Sequence, residues 1–159
     1  MKTFHRTTVL PADADRVWEA MQYPATFLYV CRGLLGVPSL AGRSAPLREG
    51  DQETGLLTLF HLIPFSRHTI HIAEVDAATR TIRTSEHGGP IRVWRHTLHA
   101  EPLTDGRCRY SDTVEFDAGR LTPLVAAAVK VLYRHRHRRW HGLVRRHLRP
   151  ADDLRRKVR

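Results

Sequence analysis

The polar and apolar positions of this chain follow two periods, near two through its middle and near 3.6 at its end. Lys2 to Leu10 is rich in Thr and Val and reads as a strand that Pro11 closes. Asp13 is placed to cap a helix over about Ala14 to Gln22, with Asp15 in the first turn, where the helix dipole favours an acid. Val17, Trp18 and Met21 fall on one side of that helix. Pro24 suits the start of a second short helix, whose apolar stripe would be Phe27, Leu28, Cys31, Leu34 and Leu35, with Gly36 as its end. Residues 37–50 hold two Pro, two Gly and two Ser and read as a connection.

A run of strands follows. Thr54 to Ile63 is one, broken by Pro64; Arg67 to Asp76 is the next, and Ala77 to Arg80 turn the chain into Thr81 to His87. Gly88-Gly89-Pro90 is a turn before a long strand from Arg92 to Leu103. Thr104-Asp105-Gly106 then makes a hairpin into Cys108 to Phe116. Beyond Asp117-Ala118-Gly119 the period becomes helical. From Leu121 to about Leu148 only Pro123, suited to a first turn, and Gly142 interrupt it, giving a helix of roughly 40 Å. Short turns force antiparallel pairing, and a long helix can cover one face of such a sheet. The expected class is α+β: about six to seven curved antiparallel strands around a long C-terminal helix, with two short helices after the first strand.

Strand phase sorts the side chains. Cys108, Tyr110, Asp112, Val114 and Phe116 share one face of the last strand, and Trp94, His96, Leu98 and Ala100 share one face of the strand before it. The earlier inward sets are His68, Ile70, Ile72 and Glu74, then Ile82, Thr84 and Glu86. His68, Glu86, His96 and Asp112 are therefore titratable groups on otherwise apolar faces. A carboxyl and an imidazole converging there are suited to general acid–base steps. The plainer reading puts Glu86 and His68 at strand ends in solvent and pairs Asp112 with an arginine or a backbone amide. Tyr110 and Trp94 read as core or cavity wall. The apolar stripe of the long helix, Leu121, Leu124, Val125, Ala128 and Leu132, continues through His135, Arg136, Arg139 and Leu143. Arg136 and Arg139 would then face the sheet, to meet an acid, to hold an anionic group of a ligand, or to carry their charged ends out to water.

Length and composition fit one domain over residues 1–149 with a basic tail over 150–159. The chain has 159 residues and is 42% hydrophobic and 26% charged. Its net charge of +10 is local. Residues 1–129 hold 14 Lys/Arg against 14 Asp/Glu, whereas residues 130–159 hold 12 against 2. The excess of Arg over Lys, 23 to 3, fits a GC-rich genome. No run of 18 apolar residues would span a membrane, and Met1 to Arg6 carries no apolar leader, so a cytoplasmic protein is expected. Two cysteines, Cys31 and Cys108, fit buried thiols better than a disulfide scaffold. His68 and His71 would point to opposite strand faces. His137 and His141, four apart on a helix, have no third ligand at metal spacing, so neither metal nor cofactor is expected. The basic helix lacks an aromatic platform or reading motif, which argues against nucleic acid and leaves peripheral contact with an anionic membrane as its other use.

Val9-Leu10-Pro11-Ala12, Arg16 to Met21 and Pro24 resemble the opening of the START/birch-allergen-like (SRPBCC) superfamily, the helix-grip fold. Leu132 to Arg136, with Trp140 and Leu143, is similar to the closing helix of its bacterial polyketide cyclase/dehydrase-like members. The resemblance implies an apolar cavity between sheet and helix for a small hydrophobic or polyketide-like molecule, in a monomer or homodimer. It leaves open whether the ligand is cyclised and dehydrated or only carried. Asp112 and His96 are the catalytic candidates. Trp18, Phe60, His68, Ile70, Ile72, Glu86, Trp94, Leu98, Tyr110, Val114, Val125, Leu132, Arg136 and Arg139 are the expected cavity set.

Overall fold

A computed structural model describes residues 1–148; the expected tail over 150–159 lies outside the described residues. The chain runs β1 (Lys2–Leu10), α1 (Ala14–Met21), α2 (Pro24–Cys31), β2 (Leu35–Gly36), β3 (Gln52–Leu59), β4 (Ile63–Asp76), β5 (Thr81–Gly88), β6 (Ile91–Pro102), β7 (Cys108–Asp117) and α3 (Thr122–His147). One seven-stranded antiparallel sheet holds them in the order β1-β7-β6-β5-β4-β3-β2. It curls around α3, whose 26 residues span about 39 Å. This is the expected helix grip. Asp13 caps α1 by accepting a hydrogen bond from the Asp15 amide at 2.8 Å.

Four expectations are corrected by backbone detail. The second helix stops at Cys31, because Gly33 takes a φ of 98° that helical residues do not adopt; Leu35 and Gly36 instead pair with Leu59 and Thr58. The β3–β4 hairpin turns at Phe60–Leu62 rather than at Pro64, with Phe60 and His61 at φ values of 52° and 61°. Phe60, expected on a cavity wall, is therefore 57% exposed. Pro64 is held inside β4 at a register shift, where its missing N–H costs nothing. A second shift, between Ile72 and Glu74, inserts Ala73 and reverses the face. Glu74, expected inward, pairs with Arg83 outside, and Val75 faces Ile82.

The fourth correction is the phase of α3. Its buried residues are Thr122, Val129, Tyr133, Arg136, His137, Trp140 and Val144, while Leu121 and Leu124 of the expected stripe are exposed, Leu124 by 69%. Two apolar clusters fill the space beneath. Leu10, Val17, Ile72, Ile82, Tyr110, Trp140 and Val144 belong to the larger, and Val114, Phe116, Val129 and Tyr133 make the smaller. Among the described residues no helix is long and apolar enough to cross a membrane.

Candidate functional site

A polar belt crosses the interior between the two clusters. On β7, Asp112 sits between Tyr110 and Val114; on β6, His96 sits between Trp94 and Leu98. On α3, Arg136 and His137 sit between Tyr133 and Trp140. The strands bring these groups together by register. Val114 is opposite His96 and Leu98 is opposite Asp112, so His96 and Asp112 are diagonal neighbours on one face. The helix supplies Arg136 and His137 by presenting two adjacent residues to the same level.

Asp112 is the centre of the belt and is fully buried. His96 Nε2 lies 2.6 Å from Oδ1, and Tyr110 donates its hydroxyl to the same oxygen at 3.0 Å. His137 Nε2 lies 2.9 Å from Oδ2, and Arg136 Nη2 comes within 3.6 Å of Oδ1. Burial alone would push the Asp112 carboxyl up. The Arg136 guanidinium and the hydrogen bonds from His137 and His96 outweigh it and hold the carboxyl well below the usual carboxylate range. An ionised Asp112 accepts, so both Nε2 atoms carry the protons. In such a tautomer the ring's lone pair is on Nδ1. The Tyr110 hydroxyl is pushed well above its ordinary value, first by burial and then by the charge of Asp112.

One side of the belt is packed and the other is hollow. Val114, Phe116, Val129 and Tyr133 fill the first, with Phe4, Trp94, Val125 and Leu132 packed against them. On the other side lies a cavity of about 70 Å³, counted as room for the centre of a water molecule. At about 10–15 Å³ per water, that space holds several waters or a compact organic group. Its walls are mainly apolar, from Met21, Phe27, Ile70, Ile72, Ile82 and Leu98, and Trp140 closes it from α3. His96, Glu86 and Arg136 also line it. Arg43 and Asp51, ion-paired with each other, and Glu53 stand at the wall formed by the 37–50 connection and β3.

The polar lining groups differ in how far they are satisfied. Glu86 lies 3.1 Å from His68 Nε2 through Oε2, and accepts from the Thr84 hydroxyl at 2.5 Å through Oε1. Arg136 is 3% exposed, and its Nε–H has no acceptor among the described residues. Its guanidinium carbon lies 4.8 Å from the Tyr133 ring centroid and 5.6 Å from that of Phe27.

Of the residues singled out from sequence, Ile70, Ile72, Glu86, His96, Leu98 and Arg136 line the cavity. Asp112 and Tyr110 stand directly behind His96, and His68 stands behind Glu86. Trp94, Val114, Val125 and Leu132 belong to the packed cluster across the belt, Trp94 with its ring 5.8 Å from Phe116. Trp18 packs on the larger cluster outside the cavity lining. Arg139 ties α3 to α2, donating from Nε to the Tyr29 carbonyl at 3.1 Å while its guanidinium stacks 4.2 Å over the Tyr29 ring. His137, Tyr133 and Trp140 belong to the belt and its walls although they lie outside the set expected from the sequence. The signal for them is the helical spacing Val129, Tyr133, Arg136/His137, Trp140, Val144, a face that carries both Tyr133 and Trp140.

Solved structures repeat this fold at low identity. Zhui aromatase/cyclase from Streptomyces sp. R1128 superposes with a TM-score of 0.68 at 17% identity, covering 94% of this chain and 97% of that one. Norcoclaurine synthase from Thalictrum flavum, in complex with dopamine and hydroxybenzaldehyde, gives 0.66 at 16%, covering 92% and 87%. A structural-genomics protein from Chromobacterium violaceum gives 0.69 at 16%, covering 89% and 96%. Among curated proteins no sequence matches the chain. The fold is thus the helix grip that these structures share. Within that fold the chain belongs to the family described as domain of unknown function DUF8410, whose model matches residues 39–146.

Proposed function

We propose that the protein takes a small, mainly apolar molecule into the cavity between the sheet and α3, and that His96 exchanges a proton with it. The observation that carries this reading is the pairing of an apolar hollow with one imidazole whose Nε2 is held on a sealed aspartate. With Nε2–H donating to Asp112, the Nδ1 lone pair is the base. A proton on the carbon next to a ligand carbonyl can pass to it, the C–H electron pair moving toward the carbonyl oxygen. Asp112 stabilises the imidazolium that forms and fixes the tautomer without itself being protonated. Enolisation of this kind begins both cyclisation and dehydration of a polyketide-like chain. The printed names of two fold neighbours, an aromatase/cyclase and a synthase bound to two aromatic molecules, support small-ligand chemistry in such a fold.

Uptake is tested with the neutral fluorophore N-phenyl-1-naphthylamine. Saturable enhancement is expected for the native protein and its loss in Leu98→Trp, which fills the hollow. No saturable uptake, or equal uptake by the filled variant, would contradict the reading.

A further inference from the structure

Among the described residues two cavity-lining groups keep a buried donor without an acceptor, Trp140 at Nε1 and Arg136 at Nε, and Arg136 is the charged one. A guanidinium carries five N–H donors in a fixed fork and keeps its charge at every working pH. Here Nε–H has no acceptor among the described residues, and Nη2 approaches Asp112 Oδ1 only to 3.6 Å, an ion pair rather than a hydrogen bond. That oxygen is already engaged by His96 and Tyr110. The guanidinium carbon stands over the Tyr133 and Phe27 rings, contacts that hold the cation and leave its Nε–H without an acceptor among the described residues. Arg6 is opposite Asp112 in the β1–β7 register, and its Nε is likewise buried without an acceptor among the described residues.

The other charged walls do not compete for the same ligand atoms. Glu86 has a partner on each oxygen, and Asp51 is paired with Arg43. Glu53 is only partly buried. The unfilled demand inside the cavity is therefore for an acceptor, and a charged acceptor with two oxygens fits a guanidinium edge best.

We propose that Arg136 anchors a carboxylate, so that the cavity selects small apolar acids. The ligand would lay its hydrocarbon body against Ile70, Ile72 and Leu98 and spend its oxygens on Arg136. This rests on the cavity reading above and adds to it the chemical class of the ligand.

Four matched probes test it by calorimetry at pH 8: 2-naphthoate, 2-naphthamide, 2-naphthylmethanol and 2-naphthylmethylamine. The acid is expected to bind about ten- to a hundredfold more tightly than the amide and the alcohol, as a charge-assisted pair replaces an unmet donor. Arg136→Gln should bring the acid within a few-fold of the amide. Arg136→Lys keeps a positive charge opposite Asp112 and so guards against loss of fold; it should retain only part of the preference, because an ammonium lacks the fork. Equal binding of acid, amide and alcohol by the native protein, a preference that survives Arg136→Gln, or tightest binding of the amine would overturn the proposal. Uptake of the neutral fluorophore without preference for the acid would overturn this proposal alone. Failure to take up fluorophore and all four probes would remove the cavity reading beneath it as well.

Discussion

His96 reaches the cavity and Asp112 does not, yet the two are joined at 2.6 Å between His96 Nε2 and Asp112 Oδ1. The ladder explains the division. The two residues are offset by two positions across β6 and β7, so the longer imidazole lies over the shorter carboxylate and shields it. The aspartate acts only through its neighbours. It fixes the tautomer of His96 on one side, holds His137 on the other, and is the counter-charge of Arg136.

Asp112→Asn should be costly at neutral pH and less so in acid. The substitution leaves Arg136 buried without its anion, a loss of about 3–5 kcal/mol. The folded carboxyl is held below its unfolded value, so its stabilisation is complete above about pH 4. As the pH falls, the unfolded chain binds the proton first and the native advantage shrinks. Urea unfolding at pH 7, 5 and 3 checks this; a gap between native and variant that stays constant to pH 3 would count against the ion-paired Asp112.

His96 and His137 share one carboxylate but should separate in assay. Deuterium exchange at the carbon next to the carbonyl of phenylacetone, above the uncatalysed rate, should fall about 10²–10⁴-fold in His96→Ala, the usual worth of a general base. His137→Ala should lower the unfolding temperature while keeping most of the exchange, because His137 is not among the cavity walls. Equal loss in both variants would contradict the assignment.

The phase of α3 gives a simple pair of stability measurements. Trp140 is buried with its ring 4.9 Å from Tyr110, so Trp140→Ala should cost about 3–5 kcal/mol. Leu124 is exposed, and Leu124→Ser should stay within about 0.5 kcal/mol. Chemical denaturation of both variants reads the difference, and a large loss at Leu124 would return the helix to the aliphatic phase.

Cys31 and Cys108 are free, and burial pushes their thiols up to about 11 and about 12. A disulfide-exchange dye at pH 8 should react slowly with the folded protein and rapidly with two thiols in urea. Fast reaction in the native state would show that one of them is accessible.

Much of this was legible in the sequence because sheets alternate strictly. The inward faces of β6 and β7, and with them His96, Asp112 and Tyr110, follow from period two and two short turns. The misplacements have local causes. The bulge at Ala73 turned Glu74 outward, and no residue type announces a one-residue insertion. Two left-handed residues, Phe60 and His61, made a turn where Pro64 looked the stronger punctuation. On α3 the aliphatic run from Leu121 suggested a stripe about one position away from the real one. That shift conceals His137, since a helix rotates by roughly 100° per residue. The cavity itself has no sequence signature, because it depends on which side of the polar belt the packed residues happen to fill.

The most direct measurement is a methyl NMR titration of the native protein with 2-naphthoate. Saturable shifts are expected at Ile70, Ile72, Ile82 and Leu98, which line the cavity, with Val114 and Val129 across the belt unmoved. Shifts confined to Leu28 and Val37, on the surface groove beside α2, or no saturable shifts at all, would contradict a ligand site beneath α3.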